Sequence, residues 1–237
     1  MTSLPWIEPN ELWFPPAEEA LEDPDGLLAV GGDLSADRLL LAYQNGIFPW
    51  FSDDQPILWW SPNPRCVLIP GEIHVSRSLR RTLNQQKFQI TADRCFSRVI
   101  RLCAAVRAEG TWITDEMVEA YTQLHRIGVA HSIEAWNQDG ELVGGMYGVA
   151  LGQCFFGESM FSLETNASKA LMVHLANQLR TWGYQIMDCQ VESSHLLTMG
   201  ARNIPRAEFL SILKTYVDRE PDHREWTITW QWSGPEA

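Results

Sequence analysis

The chain has 237 residues, 45% of them hydrophobic and 20% charged, with a net charge of −12. That length holds one large domain or two unequal ones with a full core. The first residues lack a basic start followed by an apolar run, and no apolar stretch is long enough for a bilayer, so neither a secretory leader nor a membrane segment is expected. Five cysteines (Cys66, Cys95, Cys103, Cys154, Cys189) form no CxxC pair. This points to a reducing, cytoplasmic setting and away from a zinc ribbon or disulfide framework. Without an HxxxH or Cys/His cluster, no metal site or cofactor is expected.

The charge is unevenly placed. Residues 1–62 carry eleven acids and Arg38 as their one base. Residues 65–107 carry nine Arg or Lys against Glu72 and Asp93, a surplus of +7, which leaves −19 on the rest of the chain. Such asymmetry decides partner choice more than the total does.

In chain order, the Pro- and Trp-rich "FPPAEEALEDPDGLLAVGGDLS" reads as loops around short elements. A helix begins after Ser35 as N-cap and stops at Asn45-Gly46. In "IFPWF" and "PILWWSPNPRCVL" the prolines confine strands to edges or bends. The Ser61–Arg65 stretch is read as a boundary between a small domain, 1–62, and a larger one, 63–237.

In "VSRSLRRTLNQQ", with Ser76 as N-cap, Arg77, Arg80, Arg81 and Asn84 fall at i, i+3, i+4 and i+7, on one helical face. A second helix over "DRCFSRVIRLCAAVR" places Arg94, Arg98 and Arg101 in one stripe and Phe96, Val99, Ile100 and Cys103 in the buried one. "WITDEMVEAYTQLHRIG" predicts a third helix, capped by Thr114, with Asp115 and Glu116 at the positive end of its dipole. The two arginine stripes are either solvated faces or phosphate contacts. Their purely basic character inside an acidic chain favours the second.

The period then changes. "HSIEAW", "ELVGGMYGVAL" and "QCFFGESMF" read as strands of an antiparallel meander with turns at Asp139-Gly140 and Leu151-Gly152. "NASKALMVHLANQLRTWG" is an amphipathic helix, and "YQIMDCQVES" is a strand that rejoins the sheet. The fold class is α/β (α+β), with a mixed, largely antiparallel sheet flanked by helices.

Alternation places Ile186, Asp188 and Gln190 on one face of that last strand, and Met187, Cys189 and Val191 on the other. A carboxylate in such a strand is paired, at a sheet end, or catalytic. Glu158, amid Phe155, Phe156, Met160 and Phe161, is either a structural partner or an acceptor for a cation. "FGESMF" is not a hydrolase elbow, because Phe161 stands where the second glycine belongs. The glycines of "GGMYG" mark a bulge or close backbone approach more readily than a phosphate loop.

Nine ordered segments, "GLLAVGGDLS", "LAYQNGIFPWF", "ILWWSPNPR", "GTWIT", "HSIEAW", "ELVGGMYGVALG", "FGESMFS", "NASK" and "MDCQV", together resemble the leucyl/phenylalanyl-tRNA–protein transferases. The resemblance implies a small N-terminal domain and a larger acetyltransferase-like (GNAT-related) one. It implies transfer of Leu or Phe, less efficiently Met, from charged tRNA to proteins with N-terminal Arg or Lys, creating a degradation signal.

It further implies Asp188 and Gln190 as catalytic and Glu158 as partner of the acceptor's cationic N-terminal residue. Met146, Phe155, Met160 and Ile186 would line the aminoacyl pocket. Tyr43, Trp50 and Trp112 would lie near the terminal adenosine, and the basic helices would grip the acceptor stem. Competing readings are a CoA-dependent N-acetyltransferase, for which "SLETNASK" supplies no glycine loop, and a non-enzymatic RNA-binding module, which leaves Asp188, Gln190 and Glu158 idle.

Overall fold

The computed structural model describes residues 4–106, 112–223 and 225–234. Arg107 and the start of the "GTWIT" segment lie outside these residues. Four short strands, β1 (Trp6–Ile7), β2 (Leu27–Gly31), β3 (Phe48–Pro49) and β4 (Leu58–Trp60), form a sheet in the order β1-β2-β4-β3. Helix α1 (Ala36–Gln44) leads from β2 towards β3, with the Ser35 side chain accepting from the Arg38 amide at its N-terminus.

The main sheet has seven strands: β5 (Arg65–Leu68), β6 (Gln89–Ala92), β7 (Ala130–Trp136), β8 (Leu142–Leu151), β9 (Cys154–Ser162), β10 (Ile186–Gln190) and β11 (Arg202–Ile204). Their order is β11-β5-β10-β9-β8-β7-β6. The β7–β8–β9 meander is antiparallel as its turns predict. Helix α5 (Ala167–Thr181) then carries the chain back, so β10 pairs parallel to β9 and the sheet is mixed.

Alternation along the strands divides the core. On one face Phe156 and Ile186 pack with α3 (Phe96–Ala105), α4 (Asp115–Arg126) and α7 (Arg206–Tyr216), in a cluster that extends to Ile7 and Trp59 of the small sheet. On the other, Phe155 and Met187 pack with α2 (Arg77–Asn84) and α5, whose Leu171, Leu175 and Leu179 form the predicted apolar side. Residues 225–234 have no regular structure but cover this second layer. Trp226 stacks on His131 at 3.9 Å, and Gln178 Oε1 accepts from the amides of Thr229 and Trp230.

Ser76 and Thr114 cap α2 and α4 through their hydroxyls. The helix expected from Asp93 starts later, at Phe96. Asp93 adopts φ +54°, and its carboxylate accepts from the Ser132 amide at 2.9 Å and lies 2.7 Å from His131 Nδ1. These bonds tie residue 93 to β7, so Arg94 precedes the helix and shares no helical stripe with Arg98 and Arg101. Among the described residues no helix is long and apolar enough to cross a membrane, and no group of three or more His, Cys, Asp or Glu is placed for a metal ion.

Candidate active site

Two bulges sit where the pairing of β9 with β10 ends. The parallel pairing runs from Ile186–Cys154 to Asp188–Phe156 and goes no further. In β9, Tyr147 faces Ser159 and Gly148 faces Gly157, which leaves Glu158 as an extra residue against β8. In β10, Asp188 faces Val67 and Gln190 faces Cys66, which leaves Cys189 as the extra residue against β5. A bulge bends its strand and re-aims the side chains on it. Both lie just past the last β9–β10 pair, Asp188 with Phe156.

A cavity of about 410 Å³ lies at this point, walled by Met146, Met160, Met187, Phe161 and Leu196 and edged by Ser162, Ser168, Ser193 and His195. This is large enough for a ligand side chain. A smaller cleft of about 140 Å³ lies beyond, between Phe48, Pro49, Trp50, Trp112 and Val191. Glu158 and Cys189 line both spaces and form the wall they share.

Asp188 is not on an outward tooth of a regular pleat beside Gln190, as simple alternation predicts. Its side chain is 1% exposed and lines neither space. Arg65, itself fully buried, donates Nε to Oδ1 at 2.8 Å and Nη2 to Oδ2 at 2.7 Å. The third Arg65 nitrogen donates to the Gly46 carbonyl at 3.0 Å, and the guanidinium sits over the rings of Phe48 and Phe209. Asp188 Oδ1 also accepts from the Gln190 amide at 2.9 Å. That bond holds Gln190 at φ +62°, a left-handed conformation non-glycine residues avoid. The carboxylate therefore shapes the bulge from behind.

Gln190 reaches forward. Its Nε2 donates to Glu158 Oε1 at 2.7 Å, while the Tyr121 hydroxyl donates to Glu158 Oε2 at 3.0 Å and hydrogen-bonds in turn with Tyr43. Burial raises the Glu158 pKa to about 7, against the lowering effect of these hydrogen bonds, and the nearby Asp188 charge adds to the rise. Burial, with the Glu158 charge beside them, also lifts both phenols well above their ordinary range. They act as neutral donors.

The structure divides the expected pocket residues. Met146 and Met160 line the larger cavity. Phe155 and Ile186 do not: both are fully buried, Phe155 beside Trp226 and Ile186 on the opposite face of β10. Met187 stands in the wall instead, because the face bearing residues 187 and 189 is the one that opens. Tyr43 is also fully buried and cannot stack on a base, whereas Trp50 is 45% exposed and Trp112 is half-buried.

All six predicted arginines are exposed, yet Arg77, Arg80 and Arg81 belong to the α2/α5 layer while Arg98 and Arg101 belong to the α3/α4 layer. They do not form one surface. Sequence reasoning missed Arg65, Tyr121 and the wall position of Cys189. Arg65 had a signal, since a lone guanidinium heading the apolar "RCVL" needs a buried anion. Tyr121 had none, because its spacing with Met117 and Leu124 reads as core.

Comparison with known proteins identifies the family. The leucyl/phenylalanyl-tRNA protein transferase model matches residues 67–214, and the model of that family's N-terminal domain matches residues 32–63. A protein of Hahella chejuensis (strain KCTC 2396) named leucyl/phenylalanyl-tRNA–protein transferase is 56% identical over 231 residues, 97% of each chain. The chain belongs to that family. A second member, from Pseudomonas fluorescens (strain Pf0-1), is 55% identical across 94% of this chain and 99% of its own. Among solved structures, L-PGS from Bacillus licheniformis shares a partial likeness, with a TM-score of 0.41 and 11% identity over 68% of this chain and 52% of that one. A GCN5-related N-acetyltransferase from Kribbella flavida gives 0.39 and 8% identity over 69% and 58%.

Proposed function

We propose that this chain transfers Leu or Phe, and less efficiently Met, from charged tRNA in the cytoplasm to the α-amine of proteins with N-terminal Arg or Lys, producing a degradation signal. The observation that carries this reading is the wall of Glu158 shared by an apolar cavity and a tryptophan-lined cleft. An aminoacyl-tRNA end has the matching shape: an apolar side chain, an ester, then a planar base. The side chain enters between Met146, Met160 and Met187, whose flexible thioethers accept branched and aromatic groups alike. The terminal adenosine stacks at Trp50 and Trp112, which leaves the ester beside Glu158 and Gln190. With a division after residue 62, the small unit supplies Trp50 and the large one the other groups.

Of the arginines, we assign the acceptor stem to Arg77, Arg80 and Arg81. Asn166 Nδ2 donates to Thr82 of α2 at 2.9 Å, which docks this helix at the start of α5, next to Ser168 on the cavity edge. Arg101 shares its groove with Asp53, Asp115 and Glu116, which offset its charge. Glu158 also faces the acceptor, and we assign it to the α-amine of the acceptor's N-terminal residue rather than to that residue's cationic side chain.

The test is incubation with labelled leucyl-tRNA and peptides beginning with Lys, Arg or Ala. Label should appear on the first two alone. Label taken from acetyl-CoA, or RNA retention without transfer, overturns the reading.

A further inference from the structure

We propose that Glu158 is the proton shuttle of the transfer step: it takes a proton from the attacking nitrogen and returns it to the departing ribose oxygen. This rests on the transfer reading above. The alternative carboxylate, Asp188, is spoken for. Both of its oxygens serve Arg65, one also serves the Gln190 amide, and it borders neither cavity.

Glu158 has the opposite surroundings. It is 8% exposed, borders both spaces, and has no Lys or Arg within ion-pair distance among the described residues. The titratable and charged groups around it are Tyr43 of α1, Tyr121 of α4, and Asp188 and Cys189 of β10, with His195 of α6 (Ser194–Thr198) across the larger cavity. Gln190 and Tyr121 each fix one carboxylate oxygen, and a carboxylate has about four lone-pair sites, so each oxygen keeps capacity towards the cavities. A pKa near 7 suits a group that must both accept and release a proton at neutral pH.

The step balances without a further reactant. Roughly a tenth of an α-amine is neutral at pH 7, having lost one proton to solvent. Its nitrogen lone pair forms the C–N bond to the ester carbonyl carbon, and one N–H proton passes to Glu158. The C–O bond to the ribose breaks, the oxygen leaves with its electron pair and takes that proton, and Glu158 returns to the carboxylate.

The experiment uses the full chain, leucyl-tRNA and an Arg-initiated peptide, with kcat and KM measured across pH for the wild type, Glu158→Gln and Glu158→Asp. Glu158→Gln should lower kcat by about 10²–10⁴-fold, leave leucyl-tRNA binding intact and lose the acidic limb near pH 7. Glu158→Asp, which keeps a carboxylate, should retain that limb at reduced rate.

A Glu158→Gln kcat within about threefold of wild type, or a defect confined to the peptide KM, overturns the shuttle and leaves the transfer reading standing. Should Glu158→Gln fail to fold, loss of the acidic limb in Glu158→Asp is the overturning result. A wild type that moves leucine to no peptide sinks the transfer reading and the shuttle with it.

Discussion

Arg65 and Asp188 meet in a two-pronged pair, 2.8 and 2.7 Å long, with neither side chain more than 1% exposed. A buried pair of this kind contributes little net stability as a whole, but breaking it by removing one partner costs about 3–5 kcal/mol. Arg65→Met should therefore lower unfolding free energy by that order, read from urea denaturation. The double replacement Arg65→Met with Asp188→Leu should recover most of the loss. Transfer activity should not return with it, because the Gln190 amide has lost the acceptor that sets its backbone.

Glu158 also predicts a pH dependence of stability. Its folded pKa, about 7, lies above the ordinary value of 4.5, so the folded state binds the proton more tightly. The stabilisation is full below the unfolded pKa and is lost as pH rises through about 7, an effect on the order of 3 kcal/mol. Glu158→Gln removes this dependence. Its stability relative to wild type should improve between pH 5 and pH 8, as checked by urea unfolding at both. A constant difference would refute the assignment.

Trp50 is exposed on one side of the smaller cleft, so Trp50→Ala should leave the fold intact. Stacking on a base is worth about 1–3 kcal/mol. The KM for leucyl-tRNA should thus rise roughly five- to 150-fold while the peptide KM stays put. Tyr43→Phe provides the contrast. It removes the hydroxyl behind Tyr121 and should lower kcat without weakening tRNA binding.

Charge neutralisation separates the two arginine layers. Replacing Arg77, Arg80 and Arg81 with Gln should weaken leucyl-tRNA binding and flatten its dependence on salt, by about 0.9 in the log–log slope for each phosphate left without its arginine. The same change at Arg98 and Arg101 should leave that slope nearly unaltered. The reverse pattern would move the acceptor stem to the α3 side.

Most helices and the meander were legible in the sequence because hydroxyl caps at Ser35, Ser76 and Thr114 and turn glycines state them locally. Of the expected site residues, Met146, Met160, Glu158, Gln190, Trp50 and Trp112 line the two spaces, whereas Asp188, Phe155, Ile186 and Tyr43 do not. Strict alternation assumes a ladder without insertions, and both bulges violate it at Glu158 and Cys189. Residues 186 to 189 keep the expected alternation, and the face that opens is the one bearing Met187 and Cys189; past the bulge Gln190 turns its side chain to Glu158. The bulges depend on contacts between distant segments, such as Arg65 with Asp188, so no short stretch announces them. The placement of α2 and α3 in different layers is likewise a property of the whole sheet.

The left-handed backbone at residue 190 has a consequence for engineering. A glycine there would relieve roughly 1–2 kcal/mol of local strain. The same glycine removes the hydrogen bond from Gln190 Nε2 to Glu158 Oε1, so a library ranked on heat resistance alone would weigh backbone ease against the grip on that carboxylate. Position 190 is where robustness and usefulness part company in this chain.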